Sequence, residues 1–235
     1  MENILNVYLP RKINFKSNQN QNTMKKLVLS LVVFASVLTA CKEKKEKVAT
    51  KEAVKVAVNV EELNNVDVAT SVLNWKGTKP TGAHNGTVSI KSGGILVENG
   101  KLTKGQFIID MTSIKVLDIP ADKAGNGKLV GHLTSADFFD VAVYPTSKFV
   151  ITSVEDKGDK IHVTGNLNIK DVTKSITIPA TVNTSNGVTT FASETFVVNR
   201  ADFNVKYGSK SFFDNLKDKF IDDEMQLSFV VKTKS

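Results

Sequence analysis

Cysteine is nearly absent from this sequence, because Cys41 is the only one among 235 residues. A single cysteine cannot form an internal disulfide, and it excludes every metal site that is built from several cysteines. The 5 prolines and 14 glycines are far too few for a collagen-like or low-complexity chain. With 41% hydrophobic and 23% charged residues, the composition is that of an ordinary globular protein. The length allows one large all-β domain or two small domains.

Basic residues exceed acidic ones only slightly once the N-terminus is set aside. The formal net charge is +7, from 31 lysine and arginine residues against 24 aspartate and glutamate residues. Residues 1–40 contain five of the basic residues and one acidic residue, so the rest of the chain has a net charge of +3. Proteins that bind nucleic acid usually concentrate more positive charge than this. We therefore expect no nucleic-acid partner.

An export signal is predicted near the N-terminus. Two lysines after Met24 precede the uncharged run 27–40. Fourteen helical residues extend only ~21 Å, which is too short for the ~30 Å hydrocarbon core of a bilayer. A cleaved signal peptide at 24–40 is therefore favoured over a membrane span. The run ends in Leu-Thr-Ala-Cys41, which resembles the lipobox of bacterial lipoproteins and implies acylation of Cys41. The alternative is a soluble secreted protein with a buried cysteine.

Two further segments are excluded from the fold prediction. Residues 1–23 precede the export signal, and we interpret them as an extension that results from an overlong gene start. Residues 41–67 alternate charged and small residues and contain no aromatic residue. Such a stretch cannot bury enough apolar surface to order itself, so we predict a flexible tether. The folded domain is predicted to span residues 68–235.

Apolar and polar residues alternate with a period of two through most of this domain, as Ile161, Val163 and Leu167 do with their neighbours. Similar runs lie at 73–75, 87–91, 95–97, 106–111, 149–151, 176–183, 189–198 and 227–232. The turn signals between them are Ser92-Gly93-Gly94, Asn99-Gly100, Lys157-Gly158-Asp159 and Ser185-Asn186-Gly187. Alternation of this kind is typical of half-buried antiparallel strands. About eight to ten strands without alternating helices predict an antiparallel barrel or sandwich.

Two segments have helical spacing instead. Residues 121–133 place Leu129, His132 and Leu133 on one helical face, which predicts a short helix that caps one end of the sheet structure. Residues 211–221 contain several phenylalanines at helical spacing and predict a second short helix or an ordered loop.

The domain also carries a series of motifs in collinear order. They are Trp75-Lys-Gly77, Gly82-Ala-His84-Asn-Gly86, Gly105-Gln-Phe107-Ile-Ile-Asp110-Met111-Thr-Ser113-Ile114, His132-Leu133-Thr-Ser135-Ala-Asp137-Phe138-Phe139-Asp140, Tyr144-Pro145-Thr146, Gly165-Asn-Leu167, Asp171-Val172-Thr173 and Asn199-Arg200-Ala-Asp202-Phe203. This series resembles the YceI-like family of polyisoprenoid-binding proteins. The resemblance implies a closed, lipocalin-like antiparallel β-barrel of about eight strands with one or two short helices. It also implies an elongated apolar tunnel for an isoprenoid, a quinone or a similar amphiphile. The sequence departs from the family pattern after Phe203, at the expected mouth of the tunnel.

The strand phases select the side chains that should face the barrel interior. Two histidines, discussed below, are included in this set. The expected ligand-binding residues are Trp75, His84, Val88, Phe107, Ile109, Met111, His132, Phe149, Leu167, Phe191 and Phe229. The same inward set would be needed for a fully packed core, so strand phase alone leaves a pocket and a filled core as alternatives. An eight-stranded barrel has room for either.

Polar residues on apolar faces offer a second interpretation. His84 shares the phase of Val88, and His132 lies on the apolar face of the predicted helix, so both rings should point inward. They would bind a ligand headgroup, serve a metal- or His-dependent enzyme, or be buried histidines with structural partners. We expect no metal, since a site needs a third ligand and none stands at suitable spacing. Arg200, the one arginine after the signal, is expected to pair with Asp202 or with an anionic headgroup.

The sequence as a whole predicts an envelope lipoprotein that binds or carries a long-chain amphiphile. We expect no enzymatic activity, because neither Ser113 nor Ser135 lies in a nucleophile elbow and no phosphate-binding glycine motif occurs. The expected partners are the lipid and, through acylated Cys41, a membrane, with a homodimer left open. No cofactor is expected besides a bound isoprenoid-type lipid. The expected location is the periplasm or the cell envelope, at the outer membrane.

Overall fold

The alternating segments form β-strands in the computed structural model, which describes residues 46–55 and 63–234. The strands are β1 (Glu46–Lys47), β2 (Lys51–Glu52), β3 (Val72–Lys79), β4 (Gly82–Glu98), β5 (Lys101–Asp110), β6 (Lys115–Val116), β7 (Thr146–Asp156), β8 (Ile161–Ile169), β9 (Val172–Ser185), β10 (Val188–Ser193), β11 (Phe196–Asn199) and β12 (Glu224–Lys232). A helix, α1, spans Ala124–Thr134, and short 3₁₀ turns lie at Met111–Ser113 and Arg200–Phe203. The predicted extension 1–23, the signal peptide 24–40 and Cys41 lie outside the described residues.

Eight of these strands close into an antiparallel barrel. The order around the wall is β3-β4-β5-β7-β8-β9-β10-β12, and β12 pairs with β3 to complete the ring. Strand β11 continues along the same edge of β12 that β10 occupies, since Phe196 pairs with Leu227 and Phe191 with Val231. Closure leaves the eight strands without a free edge along most of their length. The predicted closed, lipocalin-like β-barrel with a short helix is confirmed.

Two of the predicted turns are two-residue hairpin connections. Asn99 and Gly100 join β4 to β5 with φ angles of 52° and 75°, and Asn186 and Gly187 join β9 to β10 with 50° and 78°. Positive φ at both central residues is the type I′ geometry, which matches the twist of the strands it joins. Asparagine and glycine adopt this geometry at little cost, so the local sequence determines both hairpins.

The turn predicted at Ser92-Gly93-Gly94 is wrong, because these residues lie inside β4. The register of β4 against β5 shifts there, between Ile90 and Ser92. Gly93 has a φ of 142°, and a Cβ on it would lie 2.2 Å from the carbonyl oxygen of Gln106. These glycines therefore mark a β-bulge where two backbones approach closely, which local sequence does not distinguish from a turn.

Helix α1 confirms the helix predicted at 121–133, with a shift of one to three residues at its ends. It is held against β6 by Asn126, whose side-chain amide donates to the carbonyls of Val116 and Ile119 at 3.1 and 2.7 Å. Leu133 is its buried residue.

Residues 211–221 form an ordered loop and not a second helix. In the described part of the chain, α1 included, no helix has the length and apolar character to cross a bilayer.

Residues 46–55, the first of the two described stretches of the predicted tether, pack on the barrel. Strand β1 pairs in parallel with β11, and β2 pairs with β9. Val48 is buried, and the side-chain amide of Asn166 bonds both the N–H and the carbonyl of Val54, at 3.0 and 2.6 Å. The outer edge of β11 offers unpaired backbone groups, and β1 satisfies them. This segment therefore differs from a flexible tether, and the ordered domain begins before residue 68.

Candidate functional site

The barrel interior has a half filled by stacked rings, which we call the phenylalanine half and define by Phe107, Phe149, Phe191 and Phe196. All four side chains are fully buried. Phe107 pairs directly with Phe149 across β5 and β7, and its ring lies 5.7 Å from that of Phe191. Phe229 stacks at its boundary, 5.5 Å from Phe149 and 6.0 Å from Phe196. Each such ring pair contributes ~0.5–1.5 kcal/mol beyond the burial of its surface.

The other half, beneath α1, contains an apolar cavity of about 90 Å³. A single water needs ~10–15 Å³ of such a cavity. We call this part of the barrel interior the cavity half and define it by the apolar residues that line the cavity. They are Leu73, Trp75, Val88, Ile109, Met111, Ile114, Leu133, Phe138, Phe139, Leu167, Ile169, Ile221, Met225, Leu227 and Phe229. Besides Gly77, the remaining lining residues are Lys76, Ser147, Arg200 and Asp222. An apolar wall with few polar groups is the usual make-up of a small-molecule site.

Several of the residues predicted to bind ligand do line this cavity. They are Trp75, Val88, Ile109, Met111, Leu167 and Phe229. Phe107, Phe149 and Phe191 face inward as expected, but they pack against one another in the phenylalanine half and not on the cavity. The cavity therefore occupies one half of the barrel and is not a tunnel along its full length. Strand phase specifies that a side chain points inward, whereas packing decides whether it meets a ring or open space.

Trp75 supplies an unusual polar atom on the cavity wall. It pairs across the strands with Gly86, and a Cβ on Gly86 would lie 2.8 Å from the indole Cε2, so the glycine leaves room for the ring. The indole Nε1 is buried and has no hydrogen-bond partner among the described residues. A buried donor without a partner costs ~1–3 kcal/mol.

His84 is not among the residues that line the cavity, and its ring is partly exposed. Its Nδ1 lies 2.7 Å from a carboxylate oxygen of Asp118, and its side chain is 32% exposed. The chain beyond β6 brings Asp118 alongside β4, where its other oxygen accepts the N–H of Asn85 at 2.9 Å. Although partial burial alone would raise it, these hydrogen bonds from Asn85 and His84 lower the pKa of Asp118.

His132 lies behind the cavity wall, on α1. Its ring packs edge-on against Phe138 and Tyr207, with centroid distances of 5.8 and 4.6 Å. Its Nε2 is buried without a hydrogen-bond partner in the described chain. His84 and His132 therefore have separate partners, and the alternative of a site shared by both rings loses its geometric basis. No group of three or more His, Cys, Asp or Glu side chains in residues 46–55 and 63–234 has the arrangement of a metal site.

Arg200 is one of the polar residues that line the cavity, and its carboxylate partner is Asp223 instead of the expected Asp202. Its side chain is 1% exposed and lies over the ring of Phe138, and its guanidinium lies 3.4 Å from Asp223. It donates to the carbonyls of Val205, Ile221 and Asp222 at 2.7, 2.9 and 3.0 Å.

The expected partner of Arg200, Asp202, instead accepts a hydrogen bond from Thr50 at 2.6 Å. Burial lowers the pKa of Arg200, and the carboxylates of Asp223 and Asp222 oppose that effect. A lone arginine among apolar segments was the sequence signal for a buried role, since its fork of donors can satisfy several carbonyls at once.

Comparison with known proteins gives the same architecture. Residues 64–233 match the model of the YceI-like domain. The chain is similar to a UPF0312 protein of Pseudomonas putida, with 55% identity over 53 residues, 22% of this chain and 28% of that protein. It is also similar to protein YceI of Salmonella newport, with 47% identity over 49 residues, 21% of this chain and 26% of that protein. These matches span only about a quarter of each relative.

Two solved structures share the fold over most of their length. BcnA of Burkholderia cenocepacia has a TM-score of 0.58 and 25% identity, and the match covers 72% of this chain and 100% of that one. A polyisoprenoid-binding domain of Saccharophagus degradans, implicated in plant cell wall breakdown, has a TM-score of 0.53 and 16% identity, with 74% and 99% covered. The second likeness concerns the fold alone. With the family model matched across nearly the whole barrel, the chain belongs to the family of YceI-like domains.

Proposed function

We propose that this protein binds the apolar tail of an amphiphilic lipid, such as an isoprenoid or a quinone, in the cavity half of its barrel. The observation that carries the proposal is the cavity itself, whose lining is almost entirely apolar and includes Trp75, Val88, Ile109 and Met111. Membership of the YceI-like family supports a lipid ligand, as does the polyisoprenoid-binding domain of Saccharophagus degradans with the same fold. Binding, without catalysis, is the function proposed.

The energy of binding would come from apolar contact. Each CH₂ group transferred from water into the cavity contributes ~0.8 kcal/mol. At about 90 Å³ the cavity accepts only part of a long tail while the rings of the phenylalanine half stay in place. A longer tail would have to displace Phe229, which both lines the cavity and stacks on Phe149. We propose that this ring sets the depth to which a tail enters.

The cellular setting is also part of the proposal. Acylation of Cys41 would anchor the protein as a lipoprotein in the cell envelope, at the outer membrane, where it would hold or ferry its lipid through the periplasm. Several acyl chains together anchor a protein stably, whereas one alone binds a bilayer only weakly.

Lipid retention tests the proposal directly. The full chain is purified without detergent exchange, extracted with organic solvent and examined by mass spectrometry; a stoichiometric isoprenoid-type lipid is expected. Met111→Trp, which fills the cavity from its wall, should reduce the recovered lipid by about tenfold, because overpacking excludes a guest at a cost of only ~1–3 kcal/mol in stability.

The matched control for Met111→Trp is Ile176→Phe, which overpacks a buried position away from the cavity. Ile176 is 1% exposed and does not line it. This variant should retain the lipid. Repeated extraction of the unmodified protein without any lipid, or equal retention by both variants, would contradict the proposal.

A further inference from the structure

A single loop carries much of the exposed aromatic surface of the described chain. Residues 206–220, called the aromatic loop below, contain Tyr207, Phe212 and Phe213, which are 44%, 46% and 49% exposed. The loop also has four lysines against two aspartates, a net charge of +2. Scattered single apolar residues on a surface need no explanation, but exposed rings grouped with lysines mark a contact surface.

The exposed phenylalanines stand on a fixed turn. Ser209 is fully buried, and its carbonyl accepts the N–H groups of Phe212 and Phe213 at 3.2 and 3.0 Å. Its hydroxyl accepts the N–H of Ser211 at 3.0 Å, and the hydroxyl of Ser211 donates to Asp223 at 2.6 Å. Because the turn is built before any partner arrives, contact through these rings costs little ordering of the loop.

The aromatic loop is also fixed beside the cavity. Arg200 donates to the carbonyls of Val205 and Ile221, the residues directly before and after the loop. Ile221 lines the cavity, and its N–H donates to the carbonyl of Gly208 at 2.8 Å. The ring of Tyr207 packs on His132, behind the cavity wall. A surface that the loop contacts would therefore lie next to the cavity.

The chemistry of the loop favours a bilayer over a second protein. The Nζ of Lys206 lies 4.9 Å from the ring centre of Phe212, and that of Lys210 lies 3.4 Å from the ring centre of Phe220. Such pairing puts aromatic rings at the level of lipid headgroups while the ammonium groups reach anionic phosphates. The cores of protein–protein interfaces, by contrast, are poor in lysine.

We propose that the aromatic loop is a membrane-contact surface that inserts its phenylalanines among the headgroups of an anionic bilayer and sets the cavity against that bilayer. The inference deepens the lipid-binding function proposed above and rests on it, since it assigns the route by which a lipid passes between bilayer and cavity. Attraction between the lysines and anionic lipid orients the domain, and the rings hold it there.

Fluorescence quenching tests the contact. Phe213→Cys is made in the full chain that also carries Cys41→Ser, and the new thiol is labelled with an environment-sensitive dye. The control is Val68→Cys. Val68 is 45% exposed and lies just before β3, whereas Gly77, which lines the cavity, lies near the other end of that strand. Both chains are bound to vesicles of phosphatidylcholine with a minority of phosphatidylglycerol and of spin-labelled lipid. Circular dichroism verifies folding, and Phe212→Cys replaces Phe213→Cys should that variant fail to fold.

The label at 213 should be quenched at least about threefold more than the label at 68, because apolar groups of an interfacial segment lie ~5–10 Å into the headgroup boundary. Equal quenching of the two labels would overturn the inference. A label at 213 that stays in water would overturn it too, because that is the result expected if the loop binds a protein. Lipid recovered by extraction without quenching at 213 overturns the membrane contact alone. Quenching at 213 without any recovered lipid upholds the contact and contradicts the proposed ligand.

Discussion

The phenylalanine half and the cavity half share one barrel wall and yet are filled differently. In the first, Phe107, Phe149 and Phe191 come from three strands and stack across the interior, so ring meets ring. In the second, the wall contributes mostly aliphatic side chains such as Ile109 and Leu167, and α1 with the chain around Ile221 covers the space without filling it. An eight-stranded barrel is wide enough for either outcome. Side-chain shape, and not the strand framework, therefore decides where this barrel has room.

The largest expected effect is the loss of a ring from the phenylalanine half. Phe107→Ala should lower the free energy of unfolding by ~3–5 kcal/mol, because it removes a fully buried ring and leaves a new void among its neighbours. Met111→Ala, at the cavity, should cost only ~2 kcal/mol, near the lower limit for such truncations, because that side chain already faces open space. Urea unfolding of both variants measures the difference. Equal losses would contradict the division of the interior into two halves.

A smaller difference is expected when side chains are enlarged. Ile176→Phe should cost ~1–3 kcal/mol, since extra volume in a close-packed core forces neighbours from their preferred rotamers. Leu167→Phe, on the next strand but bordering the cavity, should cost less than ~1 kcal/mol because the ring can enter existing space. Thermal or urea unfolding decides between them. A cost for Leu167→Phe as large as that for Ile176→Phe would mean that the cavity is closed to an added ring.

The smallest effect is expected outside both halves, at the pair of His84 and Asp118. Asp118→Asn should cost less than ~1 kcal/mol at neutral pH, as is usual for partly exposed ion pairs. The pKa of Asp118 is lower in the folded than in the unfolded chain, so its stabilising effect is present above the unfolded pKa and is lost as the pH falls through the folded one.

The difference in stability between the unmodified protein and Asp118→Asn should accordingly shrink as the pH drops below ~4. Urea unfolding across that range provides the measurement. A difference that grows in acid would assign the pair a different role.

Much of the wall could be predicted from residues close together in the chain. Alternation around Ile161 and Val163 has the period of a strand, and Asn99-Gly100 and Asn186-Gly187 adopt the positive φ angles that tight hairpins require. Each of these preferences acts within a few residues. The strand phases predicted the inward position of Trp75, Ile109 and Met111, and the collinear motifs added closure into a barrel.

Other features depended on contacts between distant residues. The residues around Gly93 predict a turn, but the backbone of Gln106 approaches Gly93 closely and the strand forms a bulge there instead. His84 has the phase of an inward residue, but its partly exposed ring bonds the carboxylate of Asp118, 34 residues later. Arg200 bonds the carbonyls of Ile221 and Asp222, 21 and 22 residues later, and not the nearby carboxylate of Asp202. In each instance a partner far along the chain outweighs the local preference.

The amino-acid sequence alone thus determined the strands, the tight hairpins and the inward or outward sense of most side chains, because these follow from backbone sterics and from alternation of polarity over neighbouring residues. Only the tertiary structure decided which inward side chains touch each other and which border a cavity. Packing in an interior depends on the volumes and angles of residues from several strands at once, and no segment of the chain contains that information by itself.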